Sequence, residues 1–562
     1  MEAPPLRRAV DALELGLGAA QPLPEGVTVG APPRIVVRRG GLRGLVVRHG
    51  ERFYPTAAGP AAPSASHFGG DRVMVRSDDR SVDGGVAGGR HRGVWAVRRP
   101  NVVLVTVDSL RADAVGDAAG HAVRTPHLDG LFRAGTVFSQ AIANGPRTQA
   151  SFPSILCSLY PLVAGEREGL PASAATLGEA FQAAGYRTAA FNPSNPFLTR
   201  ETGYHRGFDL FVDFWDVHPR HGDQRAGGWR ALKRKAHDAL GRRDLGALML
   251  YQAAFQAEGG QYLSGGVIAG EGLAWAREQD RPFFLWLHFM DVHFPYTPLP
   301  GQRTRVDRVR YLAALAAMAA GSRRRAAREL RRLYDRRVEL LDAIVGELLA
   351  GFRREGLEDR TVVAFTADHG ERFWEHRGWA HGPDVYDELL RVPLALRGPE
   401  IPAGIVVGDQ VPLIGLAPTL LDLAGVPAPA SFQGRSFLPA LLGEAGAEEE
   451  PVFAEAMHSG GRASRMGVPD RFRVMACRTP EWKLLADDEG PTEELYDLAG
   501  DPGERNDLVM ERPEIAASLR RLLRDHQELV RRAAAAHGGA RGGRVDGGDE
   551  ELRRRLAALG YL

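Results

Sequence analysis

The sequence predicts an α/β protein: a mostly parallel sheet flanked by helices, followed by a small C-terminal α+β subdomain. Three observations carry that prediction. Residues 101–107, NVVLVTV, are an unbroken apolar and β-branched run that stops on Asp108, and 361–367, TVVAFTA, repeat the pattern and stop on Asp368 and His369. Runs of this kind, without polar alternation, mark strands buried on both faces, as parallel strands are. Strand-like and helix-like stretches then alternate from about 100 to 443, the order that builds a parallel sheet covered on both sides. Beyond 443 the alternation stops, and short strand-like pieces replace it.

Taken in order, residues 1–98 are rich in Gly, Pro and Arg, with short apolar pieces at 34–37 and 44–47 between turn-forming residues. They predict an extension, with a hairpin or small β-module at most, and carry no recognisable chemistry. The main domain, 99–443, should hold strands at 101–107, 187–192, 283–288, 361–367 and 392–396, with helices at 175–184 and 329–351. Residues 217–275 read as a helical insertion, and 306–332 as an Arg/Ala-rich helical region whose charge run at 322–328 is a solvated face. In the subdomain, 444–510, strands at 452–455, 474–478 and 482–486 and the segment EELYDL (493–498) predict a small antiparallel sheet. Residues 511–562 form a charged helical tail.

Composition excludes several classes. The 562 residues are 44% hydrophobic and 25% charged, ordinary for a globular protein, and the net charge of +1 gives nucleic acid nothing to bind. No stretch approaches the ~18–20 apolar residues of a membrane span. The first residues, MEAPPLRRAVDALELG, lack the apolar core of a signal peptide, so the expectation is a soluble, cytoplasmic protein. Cys157 and Cys477 are too few for a disulfide framework.

The chemistry lies at strand ends. In open α/β sheets, ligands sit beyond the carboxyl ends of the strands, so Asp108, Asp368 and His369 are placed to hold one metal between two strands. An aspartate at a strand end is also a common turn or cap residue, and that alternative stands beside the metal reading. Five segments, in order, then resemble the sulfatase family of the alkaline phosphatase superfamily. They are VTVDSLRAD (105–113), HFMDVHFPY (288–296), ADHGE (367–371), AHGPDVYDELLRVPL (380–394) and ELYDLAGDPGERNDL (494–508). The resemblance covers roughly 99–510 and implies an alkaline phosphatase/sulfatase-like fold and metal-dependent ester hydrolysis.

One departure falls on the nucleophile. Sulfatases carry Cys or Ser in C/S-x-P-x-R and oxidise it to formylglycine. Here, counting back from Tyr160–Pro161, the matching position is Thr148, with Ala150 and Phe152 in place of the motif's proline and arginine. Ser151, in SFPSI, is the runner-up but needs a three-residue deletion. Threonine in that place is similar to the phosphate-handling branches of the superfamily. A formylglycine hydrate expels sulfate by collapsing to the aldehyde, whereas a threonine ester must be attacked at phosphorus or sulfur itself.

The resemblance implies metal ligation by Asp108, Asp368, His369 and the Thr148 oxygen. It also gives active-site roles to His293 and His381, with His381 the acid for the leaving group. Asn144 and Arg147 flank Thr148 and are candidate substrate donors, Arg147 replacing the lost motif arginine. Ser109 stands where formylglycine sulfatases have a second aspartate, so the set favours Mn²⁺ or Zn²⁺, with Ca²⁺ or Mg²⁺ also compatible. The expected function is hydrolysis of phosphate mono- or diesters, or phosphonate esters, through a covalent threonine intermediate. The partner is a small anionic ester. Three alternatives remain: a sulfate-ester hydrolase, a phosphoryl-group transferase, and a non-catalytic binding relic.

Overall fold

The computed structural model describes residues 99–537 except 117–122, 166–168, 194, 214–262, 295, 297–304, 377, 445–449, 460–470 and 488–492. The predicted extension at 1–98, most of the 217–275 insertion and the tail beyond 537 lie outside the described residues.

The central sheet contains β1 (Asn101–Val107), β2 (Thr136–Ile142), β3 (Arg187–Phe191), β4 (Leu210–Val212), β5 (Phe283–Phe289), β6 (Thr361–Ala367), β7 (Arg391–Val392), β8 (Leu394–Arg397) and β9 (Ile405–Pro412). Its order is β4-β3-β5-β1-β6-β8-β2, with β7 and β9 also pairing with β2. β1, β5 and β6 at its centre are buried at every position, which is why they read as unbroken apolar runs. The predicted strand at 392–396 is two pieces: Pro393, with no N–H to give the ladder, separates β7 from β8. β8 runs antiparallel to both β6 and β2, so the sheet is mixed, though mostly parallel.

Among the described residues, the helices of seven or more residues are α1 (Pro126–Arg133), α2 (Thr148–Cys157), α3 (Leu177–Ala183), α4 (Gly265–Ala276), α5 (Arg305–Ala319), α6 (Arg323–Arg354), α7 (Leu416–Leu423) and α8 (Pro513–Ala536). α3 starts where Thr176 and Glu179 form a reciprocal capping box. The long α6 buries Leu330, Leu333, Tyr334, Val338, Leu341, Val345 and Leu348, a helical-period stripe turned into the hydrophobic core. The charge run at its start is exposed, as expected. α6 also positions its neighbours. The Tyr334 hydroxyl donates to Ser109 O and accepts from Arg111 N, both at 2.8 Å, just past β1. Asp342 accepts from His127 N and Leu128 N, closing the N-terminus of α1.

The C-terminal sheet is β10 (Val452–Ser459), β11 (Arg471–Arg478), β12 (Trp482–Asp487) and β13 (Glu493–Asp497), antiparallel and in that order. It docks through Ala454, Ala476, Leu485 and Tyr496 onto Ile142, Val385, Tyr386 and Leu390. A buried charge cluster reinforces that seam. Lys483 Nζ lies 2.7 Å from both Asp387 and Glu504, and Arg478 pairs with Asp387 at 3.1 Å. The segment 371–390 is thereby anchored at its far end.

Candidate metal and nucleophile site

Val107 of β1 lies opposite Ala367 of β6, so the next residues, Asp108 and Asp368, emerge side by side. The ladder continues to their backbones: Asp108 N donates to Phe289 O (2.8 Å), and Asp368 N to Val107 O (3.3 Å). Both side chains are fully buried. β2 supplies the third component. Past Ile142 the chain turns and enters α2 with Thr148 as its first residue. The turn needs Gly145, because a Cβ there would meet that of Ala150 at 2.4 Å. Thr148 Oγ1 donates to Asp108 Oδ2 at 3.1 Å, at a helix N-terminus whose N–H groups and dipole favour a bound anion.

The other lone pairs are assigned one by one. Asp108 Oδ1 accepts from Ser109 Oγ (2.7 Å), and Asp368 Oδ1 accepts from Ser109 N (3.2 Å) and His369 N (2.8 Å). His369 Nδ1 donates to Gly370 O (2.8 Å), which leaves its Nε2 as a bare lone pair. Two buried atoms then have no hydrogen-bond partner, Asp368 Oδ2 and His369 Nε2, and they lie 3.6 Å apart. Buried polar atoms are nearly always paired. One ligand atom from each of Asp108, Asp368 and His369 falls within 4.8 Å of the others. Two carboxylates and an imidazole lone pair converging in this way fit a divalent cation. Ser109, at φ 62°, holds the left-handed conformation that aims its N–H and hydroxyl at the two aspartates.

Charge follows the same geometry. Burial acts to raise Asp108, but the imidazoles of His293, His369, His288 and His381 outweigh it and hold that carboxyl below the usual range. Asp368 is pushed well up by burial and by the charge of Asp108. The predicted histidines meet beside these groups: His293 and His381 have ring centroids 5.2 Å apart, and His381 lies 4.7 Å from His369. Burial, with His369 adding and Asp108 opposing, brings His381 down to about 3. His293 is lowered by burial too, against the pull of Asp108. His293 Nδ1 donates to Phe294 O (2.6 Å), while His381 Nδ1 faces Glu371 Oε1 at 3.3 Å. Glu371, pushed up to about 7 by burial, accepts from the Tyr296 hydroxyl through its other oxygen (2.7 Å).

Arg147 stands at the N-cap of α2, near enough to His381 for its charge to lower that imidazole. Asn144 needs correction. Its Nδ2 donates to Phe453 O and its Oδ1 accepts from Ile414 N, each at 2.8 Å, so the amide joins β2 to the C-terminal sheet and is not a substrate donor. Nearness in sequence to Thr148 misled, because the turn at Gly145 points Asn144 the other way. Ser151 is engaged as well, donating to Gly145 O at 2.7 Å, and is buried. Sequence reasoning missed Asn195, whose Nδ2 lies 3.5 Å from Asp108 Oδ2 and 3.4 Å from His288 Nε2. Its position just past the end of β3, in FNPSNP, was the available signal.

The family described as "Sulfatase" matches residues 100–426, and that described as "N-sulphoglucosamine sulphohydrolase, C-terminal" matches 375–531. Arylsulfatase K of Bos taurus is 33% identical over 199 residues, 35% of this chain and 36% of that protein. The alignment thus spans about a third of that relative's length. Arylsulfatase K of Canis lupus familiaris is 26% identical over 484 residues, 80% of this chain and 87% of that protein. Among solved structures, the phosphonate monoester hydrolase of Agrobacterium radiobacter has a TM-score of 0.57 at 20% identity, covering 77% of this chain and 96% of its own. A 2-O GAG sulfatase has a TM-score of 0.57 at 22% identity, covering 77% and 93%. These likenesses show the alkaline phosphatase-like fold. The expectation of a cytoplasmic protein is corrected by the arylsulfatase K relatives, which are not cytoplasmic. Composition reports on membrane spanning rather than on compartment. Among the described residues, no helix is long and apolar enough to cross a membrane.

Proposed function

Since the chain belongs to the sulfatase family, we propose that it is a metal-dependent ester hydrolase whose nucleophile is Thr148 and whose substrates are sulfate esters. The observation that carries this reading is the convergence of Thr148 Oγ1 with Asp108 and with the two unpartnered ligand atoms of Asp368 and His369. The arylsulfatase K relatives support sulfate as the group transferred. The divalent ion held by Asp108, Asp368 and His369 would supply Lewis-acid chemistry, lowering the pKa of the Thr148 hydroxyl and drawing charge from the ester oxygens.

The chain's own groups do the rest. Thr148 Oγ1 gives up its proton along its hydrogen bond to Asp108 and forms a bond to sulfur as the bond from sulfur to the alcohol oxygen breaks, and the departing oxygen takes a proton from His381. Both His381 and His293 are depressed by burial. An arriving anion favours their charged forms, so substrate loads the acid. Water then attacks the same sulfur in line and gives its proton to the now neutral His381, while the Thr148 oxygen leaves with the proton returned from Asp108, releasing sulfate. The N-terminus of α2, with Arg147 beside it, faces the non-bridging oxygens.

A second reading, phosphate or phosphonate esters, is favoured by one observation, Thr148 itself. A threonine ester must be cleaved at the central atom, a displacement more familiar at phosphorus than at sulfur. The deciding experiment is a hydrolysis panel of aryl sulfate, aryl phosphate, bis-aryl phosphate and aryl phosphonate esters on metal-defined protein. Highest kcat/KM on the sulfate supports the proposal. A phosphorus ester turned over faster would replace it with the second reading.

A further inference from the structure

α5 carries apolar side chains on two faces. Inward, Tyr311, Ala314, Leu315 and Ala317 are buried. Outward, Val306, Val309 and Leu312 are 54%, 61% and 48% exposed, and the exposed Ala316 and Ala320 continue the line to the turn that follows. Steps of three and four residues place all five on one side of a helix. A helix that buries one face in a globular protein turns a polar face to water. Here the outward face is aliphatic, and an exposed apolar stripe marks a contact surface.

Positive charge adjoins the stripe. Residues 305–328, which span α5, the turn and the start of α6, contain seven arginines and one carboxylate, in a chain whose net charge is +1. That carboxylate, Asp307, is buried. Gly321, at φ 70°, reverses the chain where the stripe ends, and Arg323, Arg324 and Arg325 follow at once, all exposed. None of the three is ion-paired among the described residues, whereas Arg328 leans on Glu329 at 3.5 Å. Arg323 and Arg324 also line one cavity with Trp374, a partly exposed ring stacked on that of Trp379.

An aliphatic stripe and a cluster of unpaired arginines therefore meet at one end of a helical hairpin. A stable protein interface needs a broad patch with aromatic anchors seated in pockets, and a single helical line of Val, Leu and Ala supplies neither. An anionic bilayer needs only what is present. Aliphatic side chains enter the boundary of the acyl chains, arginines meet the headgroup phosphates, and tryptophan favours the headgroup level.

We propose that the α5–α6 hairpin is a docking surface for an anionic lipid bilayer, lying in the headgroup layer without crossing it. Its tip meets Trp374, so docking holds the lipid surface near the segment that carries His381.

The test is co-sedimentation of the full chain with vesicles of phosphatidylcholine alone and of phosphatidylcholine mixed with phosphatidylglycerol. Wild type is compared with Val306→Ser/Val309→Ser/Leu312→Ser and with Arg323→Gln/Arg324→Gln/Arg325→Gln. All six positions are exposed, so both variants should fold as wild type does. Wild type should bind the mixed vesicles about tenfold more strongly than the neutral ones, and less so as salt rises. Each variant should lose about tenfold in binding to the mixed vesicles, one through the apolar contact and the other through the charge. No binding by wild type, equal binding to both kinds of vesicle, or binding retained by either variant overturns the proposal. So does a concentration-dependent dimer, read by light scattering, that the serine variant abolishes, because the stripe then belongs to a second copy of the chain.

Discussion

At the scale of single residues, the site depends on how few atoms are left unpaired. Ser109 satisfies one oxygen of each aspartate, which leaves Oδ2 of Asp108 to Thr148 and Oδ2 of Asp368 unpaired. Ser109→Ala keeps the backbone but removes the hydroxyl from Asp108, and metal affinity should weaken about 10–100-fold, read by competition with a chelator. His381→Ala should cut turnover by roughly 10²–10⁴ on esters of poor leaving alcohols and far less on 4-nitrophenyl esters. Equal losses on both would remove His381 as the acid. Asp108, Asp368, His369 and Thr148 were legible because strand ends and a fixed motif distance locate them. Asn144 and Asn195 were not: which way a turn aims an amide depends on contacts far off in the chain, to Phe453 and Ile414 in one case and to Asp108 in the other.

At the scale of elements, burial decided what could be read. β1, β5 and β6 are covered on both faces and read as apolar runs, whereas β2 and β9 mix buried with half-buried or exposed positions. TVFSQAI and IVVGDQVP therefore show neither an unbroken run nor clean alternation, and both strands went unread. β2 is the one that delivers Thr148. Tertiary capping was equally hidden. Asp342 closes α1 from another helix, and Asp342→Ala should cost about 1–2 kcal/mol of unfolding free energy, measured by chemical denaturation. No change would show that water replaces it without loss.

At the scale of the molecule, the C-terminal sheet holds the site together from outside. His376 donates toward Glu388 (2.8 Å) and Glu504 O (2.7 Å), stacked 3.8 Å from Tyr386, so it ties the segment bearing His381 to the seam. Burial works against its charge, but the bond and charge of Glu388 win, and its pKa is raised. A raised folded-state value means that the stabilisation is fully present below the unfolded value near 6.5 and is lost as pH rises through the folded value. The stability gap between wild type and His376→Gln should therefore be widest at pH 6 and narrow above neutrality; a gap that widens with pH contradicts the pairing. The apolar centre and the order of elements were legible as a fold because they repeat a local pattern. The seam was not, since Lys483, Asp387 and Glu504 meet only once the chain is folded. The most direct test of the whole account is the turnover of Thr148→Ala on the best ester of the panel, with metal content measured on the same sample. With metal still bound, turnover should fall by a factor on the order of 10³ or more. Turnover within about tenfold of wild type would mean that water attacks directly and that Thr148 is not the nucleophile.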